Sequence, residues 1–85
     1  RNKERVLGLS INGVDKAYPY SELGRSSSEF EDVVGGTKVR VVWSAESQSA
    51  YVVDGEGKQL PTVSAYWFAW FSFHPKTQIY RANTQ

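Results

Sequence analysis

Tyr66-Trp67-Phe68-Ala69-Trp70-Phe71-Ser72-Phe73, followed at once by His74 and Pro75, is the stretch on which the fold of this chain turns. It holds half of the aromatic residues and runs into the sole histidine. No Lys, Arg, Asp or Glu stands between Lys58 and Lys76. Water does not tolerate so apolar a run exposed, so it calls for cover from the domain's own core, from a partner or from a ligand.

At 85 residues the chain is long enough for one core and is read as a single domain, residues 1–85. Hydrophobic residues at 40% and charged residues at 22% place it among soluble globular proteins and away from the disordered class. The net charge of +1, with cations scattered from Arg1 to Arg81, gives no basic stripe and argues against nucleic acid. The absence of cysteine excludes a disulfide framework, a thiolate nucleophile and a Cys-ligated metal. The chain contains no methionine and starts Arg-Asn-Lys, the expectation being a processed product or a piece of a longer protein. The apolar run of residues 63–73 falls short of the roughly 20 residues that cross a bilayer, so no transmembrane segment is expected.

Outward from the aromatic run, the rest of the chain reads as hairpins. Leu7, Leu9 and Ile11 alternate with Gly8 and Ser10, a period of two. Asn12-Gly13 accepts positive φ and signals a tight hairpin turn. A returning strand over 15–20 contains Pro19, which suits a strand end or an edge. Residues 21–24 suggest one helical turn closed by Gly24, and 25–29 a polar loop. A second hairpin turns at Gly35-Gly36. Its strand over 37–44 sets Val39, Val41 and Trp43 on one face against Lys38, Arg40 and Val42 on the other. A turn at 45–48 leads to a strand over 49–54, and residues 78–81 suit a short final strand.

The aromatic segment fits two periods. As a helix it aligns Tyr66, Trp70 and Phe73, with Trp67 and Phe71 on a second stripe. Ser64 or Thr62 would then cap it and His74-Pro75 would end it. As a strand it would set Trp67, Ala69, Phe71 and Phe73 opposite Tyr66, Phe68, Trp70 and Ser72. A short helix is preferred, because a lone strand apolar on both faces needs cover twice. The expected fold is α+β: a small, twisted antiparallel sheet of two hairpins, four or five strands, covered by one short aromatic helix. With each large aromatic able to bury roughly 150–250 Å², that helix is expected to supply much of the core.

Reactive chemistry is sparse. One histidine and no cysteine make no Cys-His pair, and no G-x-S-x-G elbow occurs, so no catalytic residue is assigned. Gly35-Gly36 precedes a strand and does not cradle phosphate. Glu29, Glu31 and Asp32 lack the spacing of a calcium loop and read as a solvated acidic turn. His74 is a candidate ligand or proton carrier at the lip of an aromatic pocket, against the plainer role of bonding carbonyls at a helix end. Trp67 and Trp70 are candidate stacking residues for a sugar or cation, although no Asp, Asn, Gln or Arg is interleaved to read a ligand, which favours packing. Tyr18, beside Pro19, is a candidate to line an exposed groove. Trp67, Trp70, His74 and Tyr18 are thus the candidate ligand-binding residues, with no metal or cofactor assigned.

The segments Val6-Leu7-Gly8-Leu9-Ser10-Ile11-Asn12-Gly13, Lys16-Ala17-Tyr18-Pro19-Tyr20 and Asp32-Val33-Val34-Gly35-Gly36 resemble the pattern V-x-G-x-x-I-N-G-x-x-x-A-Y-P-L … D-x-V-G-G of domain-of-unknown-function family 3179. Tyr66-Trp67-Phe68-Ala69-Trp70 with Phe73-His74-Pro75 and Thr77 is similar to that family's closing stretch. The resemblance covers roughly residues 5–80. It implies an uncharacterised bacterial or archaeal protein, often exported, and hence a periplasmic or extracellular location. Longer members carry a Cys-Pro-x-Cys type stretch where this chain has Trp43-Ser44-Ala45-Glu46-Ser47, so no thiol or metal role carries over.

Together these features point to a non-catalytic binding or assembly domain of an exported bacterial protein, with a protein or small-molecule partner. The alternatives are a ligand-binding module of an enzyme whose catalytic residues lie elsewhere, and a haem or metal accessory domain using His74.

Overall fold

Two tight turns organise the fold, and both follow from local chemistry. In the computed structural model, which describes residues 3–82, Asn12 and Gly13 both take positive φ, 53° and 79°. They join strand β1 (Arg5–Ile11) to β2 (Val14–Pro19) with a two-residue loop. Gly35 and Gly36, at 57° and 79°, do the same for β3 (Glu29–Val34) and β4 (Thr37–Ser44). Two successive positive φ values give the turn whose twist matches that of the flanking strands. A four-residue loop with Gln48 at φ 52° then brings β5 (Ser49–Val53) back along β4. Between the hairpins lies a single helical turn, α1 (Tyr20–Leu23), ended by Gly24 in ordinary right-handed geometry.

The strands form two sheets where one was expected. The first has the order β6-β1-β2-β7, with β6 at Val63–Tyr66 and β7 at Gln78–Ile79; the second is β3-β4-β5. β7 runs parallel to β2, so the first sheet is mixed and not purely antiparallel. Leu7, Leu9 and Tyr18 of the first sheet meet Val34, Val39, Val41, Trp43 and Val52 of the second, with Leu23 of α1, in one buried core. Branched aliphatics at alternate positions fill both inner faces, as sheet-on-sheet packing requires.

A polar cluster ties the sheets at their margin. Lys16 Nζ and the Tyr18 hydroxyl both donate to Asp32 Oδ2 at 2.7 Å. Burial alone would raise the Asp32 pKa, but the bonds from Lys16, Tyr18 and the Val33 N–H outweigh it and hold the carboxyl below its usual range. Burial and the Asp32 carboxylate together push the Tyr18 phenol well above its ordinary value. Glu29 and Glu31 also lie on β3 and not in a turn, paired with Arg40 at 3.4 Å and 3.5 Å on the neighbouring strand. The acidic group at 29–32 is therefore part of a ladder, a correction to its expected place in a solvated turn.

The aromatic run divides between both of its possible periods. Val63–Tyr66 forms β6 alongside β1, and Trp67–Phe73 forms helix α2. Tyr66 occupies the N-cap without a side-chain bond, because Ser64 is committed to the strand. The Trp67 N–H instead donates to the Glu4 carbonyl at 2.7 Å. His74 closes the helix through a bond from its N–H to the Trp70 carbonyl at 2.9 Å, and Pro75 prevents continuation.

That helix does not supply the main core. Of its side chains only Trp70 is buried, with Trp67 partly covered, whereas Phe68, Phe71 and Phe73 are exposed, as is Tyr66 before them. The reason is one of layers. The inner face of the first sheet is already covered by the second sheet, so α2 lies on the outer face, and none of the described residues covers its far side.

The turns also touch. A side chain at Gly35 would overlap the Ile11 carbonyl oxygen, while Gly36 faces open space, and both are left-handed. The left-handed penalty for alanine is roughly 1–2 kcal/mol at either site. Gly35→Ala should therefore destabilise the domain in urea unfolding by at least about 1 kcal/mol more than Gly36→Ala, through the added steric overlap. Equal losses would show that the turns do not interlock.

Candidate functional site

The outer face of the first sheet carries the candidate site. Alternation along β1 sends Leu7, Leu9 and Ile11 to the core and Val6, Gly8 and Ser10 to the opposite face, where their partners are Pro19, Ala17 and Asp15. Trp70 lies flat over this surface with Val6 and Ala17. A Cβ on Gly8 would overlap its indole ring, meeting three of the ring carbons. Only a residue without a side chain lets the ring approach the strand so closely.

Trp70 is fixed at both ends. Its Nε1 donates to Thr77 Oγ1 at 2.9 Å, and its ring stacks on the His74 imidazole with centroids 3.8 Å apart. His74 Nδ1 sits 3.1 Å from Asp15 Oδ2, and Ser10 Oγ donates to Asp15 Oδ1 at 2.5 Å. The serine bond is the largest influence on the Asp15 carboxyl, and with help from the imidazole it outweighs the opposing effect of burial and holds the carboxyl below its usual range. The order is Ser–Asp–His, so the serine hydroxyl addresses the carboxylate and not the imidazole. This chain orients a histidine and does not activate a serine nucleophile. With Nδ1 committed to Asp15, Nε2 has no hydrogen-bond partner among the described residues.

Two adjoining depressions share Val63, Trp70 and His74. One, of about 230 Å³, lies between Val63 and Ala65 of β6 and Ala69 and Phe73 of α2. The other, of about 270 Å³, runs over Gly8 and Ser10 beside Pro61 and Thr62. The walls are mostly apolar, with the imidazole, Ser10 and Thr62 as the polar elements. Val63 lines both and Phe73, 82% exposed, lines the first, and Tyr66, Phe68 and Phe71 of the same segment are exposed as well. Arg5 lies 5.3 Å over the Tyr66 ring and donates to Ser64 Oγ at 2.9 Å.

Of the four candidate residues, the structure brings Trp70 and His74 together at this groove. Trp67 lies on the same helix stacked on Phe71 at 5.5 Å, one turn away. Tyr18 does not belong to it: the ring is wholly buried between the sheets, so it lines no open groove. A phenol beside a proline looks accessible in sequence, but the alternation of β2 turns it inward opposite Leu7. Gly8, Ser10 and Asp15 complete the site, and the glycine interrupting an alternating strand was the available signal for a close approach. Among the described residues no group of three or more His, Asp or Glu side chains is placed to hold a metal ion, and no helix is long and apolar enough to cross a membrane.

Comparison of the chain with protein-family models, with curated proteins and with solved structures finds no match.

Two substitutions test this geometry. Gly8→Ala should expel the indole, with a loss of roughly 1–3 kcal/mol in urea unfolding and of the tryptophan bands in near-ultraviolet circular dichroism. A wild-type spectrum would contradict the packing. Asp15→Asn tests the carboxylate. A folded-state pKa below the unfolded value of about 3.9 adds stability that is present above that value and lost as pH falls through the folded one. The variant should thus be less stable than the parent by up to about 1 kcal/mol at pH 7, and indistinguishable from it near pH 2.

Proposed function

We propose that this is a non-catalytic binding or assembly domain, and that residues 63–73 form its contact face. The observation that carries the proposal is the exposure of Phe68, Phe71 and Phe73 together with Tyr66 and Val63. The segment itself carries no charged residue, with the Arg5 guanidinium over Tyr66 at its margin. A concentration of exposed apolar side chains is a recognised mark of an interaction site, whereas isolated exposed apolar residues are not. Elsewhere the exposed large hydrophobics are Val33 and Tyr51, on different strands. The resemblance of Val6–Gly13, Lys16–Tyr20, Asp32–Gly36 and the 66–77 stretch to domain-of-unknown-function family 3179 supports placing the domain in an exported bacterial protein, periplasmic or extracellular.

A second reading, a ligand-binding module serving an enzyme, draws on one specific feature. His74 is held by Asp15 at the meeting point of two apolar depressions, which suits a small, mostly apolar ligand with one polar group.

Contact residues and structural residues respond oppositely to substitution. Phe73→Ser should leave the urea midpoint within about 0.5 kcal/mol of the parent and reduce binding of an apolar fluorescent dye. Trp70→Ala should cost about 3–5 kcal/mol. A Phe73→Ser protein as damaged as Trp70→Ala would overturn the contact role.

A further inference from the structure

The edges of the two sheets are not equally protected. On β3 the edge carries Glu29, Glu31 and Asp32. On β5 it is partly closed by the chain itself, with Gln59 bridging Val53 and the Leu60 N–H donating to the Val52 carbonyl at 2.8 Å. β7 is two residues long. β6 differs from all three. Among the described residues it is an outermost strand and pairs only with β1, and its sequence Val-Ser-Ala-Tyr has neither charge nor proline. Charges, proline, shortness and cover are the devices by which proteins keep edges from pairing with other chains. The sequence of β6 itself has none but its modest length of four residues, the nearby charge being that of Arg5 on the neighbouring strand.

We infer that the free edge of β6 takes an extended, uncharged apolar segment of another polypeptide as a fifth strand of the first sheet. This rests on the proposal that residues 63–73 form a contact face, and it names the form of the partner. Three observations favour a strand. The groove beside β6 is lined by Val63 and Ala65, alternate residues of the edge strand, which is the spacing at which an added strand presents its side chains. No Asp or Glu occurs after Glu56, and no charged residue lines the groove on the Val63 and Ala65 side of β6, the Arg5 guanidinium lying on its other side against Ser64 and Tyr66, so an uncharged segment matches the groove. The area is also too small for a face alone. At roughly 150–250 Å² for a large aromatic side chain and the exposures of Tyr66, Phe68, Phe71 and Phe73, the patch offers roughly 350–550 Å². A stable interface needs about 800 Å² from each partner. Backbone hydrogen bonds along the edge supply what the side chains lack.

The test uses the whole chain and a fluorescent, acetylated and amidated hexapeptide alternating Val with Thr, followed by fluorescence anisotropy. Saturable binding is expected. It should weaken at least tenfold when alternate peptide amides are N-methylated, and at least tenfold for Val63→Lys, whose side chain is 54% exposed and whose urea midpoint should not change. Val33→Lys, on the β3 edge, should leave binding as it was. Failure of the peptide to bind, equal binding of the methylated peptide, or equal weakening by Val33→Lys would each overturn strand addition. If the methylated peptide binds as well as the parent and Phe73→Ser abolishes both, the contact face stands and only its strand partner falls. A monomer–dimer equilibrium in sedimentation that Val63→Lys abolishes without peptide would assign the edge to a second copy and overturn the proposal.

Discussion

The placement of one indole over one glycine determines how this domain meets its surroundings. Trp70 covers Gly8 at a distance no side chain would permit, and the Thr77 bond and the His74 stack hold it there. A seven-residue helix is too short to persist by itself in water. It stands because this ring anchors it to the sheet. Once Trp70 points down, the helical period sends Phe68 and Phe71 outward, and the helix end leaves Phe73 in solvent. The exposed aromatic face is thus a geometric result of the anchor and not a failure of packing.

β1 serves two interiors at once. Leu7 and Leu9 belong to the core between the sheets, while Val6 and Gly8 floor the helix on the other side. The larger core is mainly aliphatic, with Tyr18 and Trp43, and contains none of residues 66–73. The smaller consists of Val6, Ala17 and Trp70, with Trp67 against them. The main core and the exposed aromatic helix thus lie on opposite faces of a single strand, so the exposed side can change without loss of the main core.

The hairpins were legible in the sequence because their determinants are local. Asn12-Gly13 and Gly35-Gly36 specify positive φ by residue type, and the alternation of Val39, Val41 and Trp43 names the inward face of β4. What was not legible depended on how layers stack. Nothing in a run of aromatics says whether a sheet has a free face for it or how much of the helix that face can cover, so a core role was expected where a largely exposed helix lies. The second sheet was hidden for a related reason, since two hairpins can extend one sheet or face each other. At the candidate site Trp70 and His74 were named from composition, while Asp15 was missed because its role comes from register across a hairpin. Tyr18 was misplaced because its exposure depends on strand phase.

The contact between the two tight turns has a consequence for how the molecule comes apart. The Asn12 side-chain amide donates to the Gly35 carbonyl at 2.9 Å, and Gly35 leaves no room above Ile11. Each turn is the point from which its own hairpin is zipped, and each now rests on the other. Neither hairpin can open from its tip without first parting from its neighbour. Opening either tip therefore costs this contact as well, which favours fraying from the opposite ends of the strands and couples the two sheets through their turns.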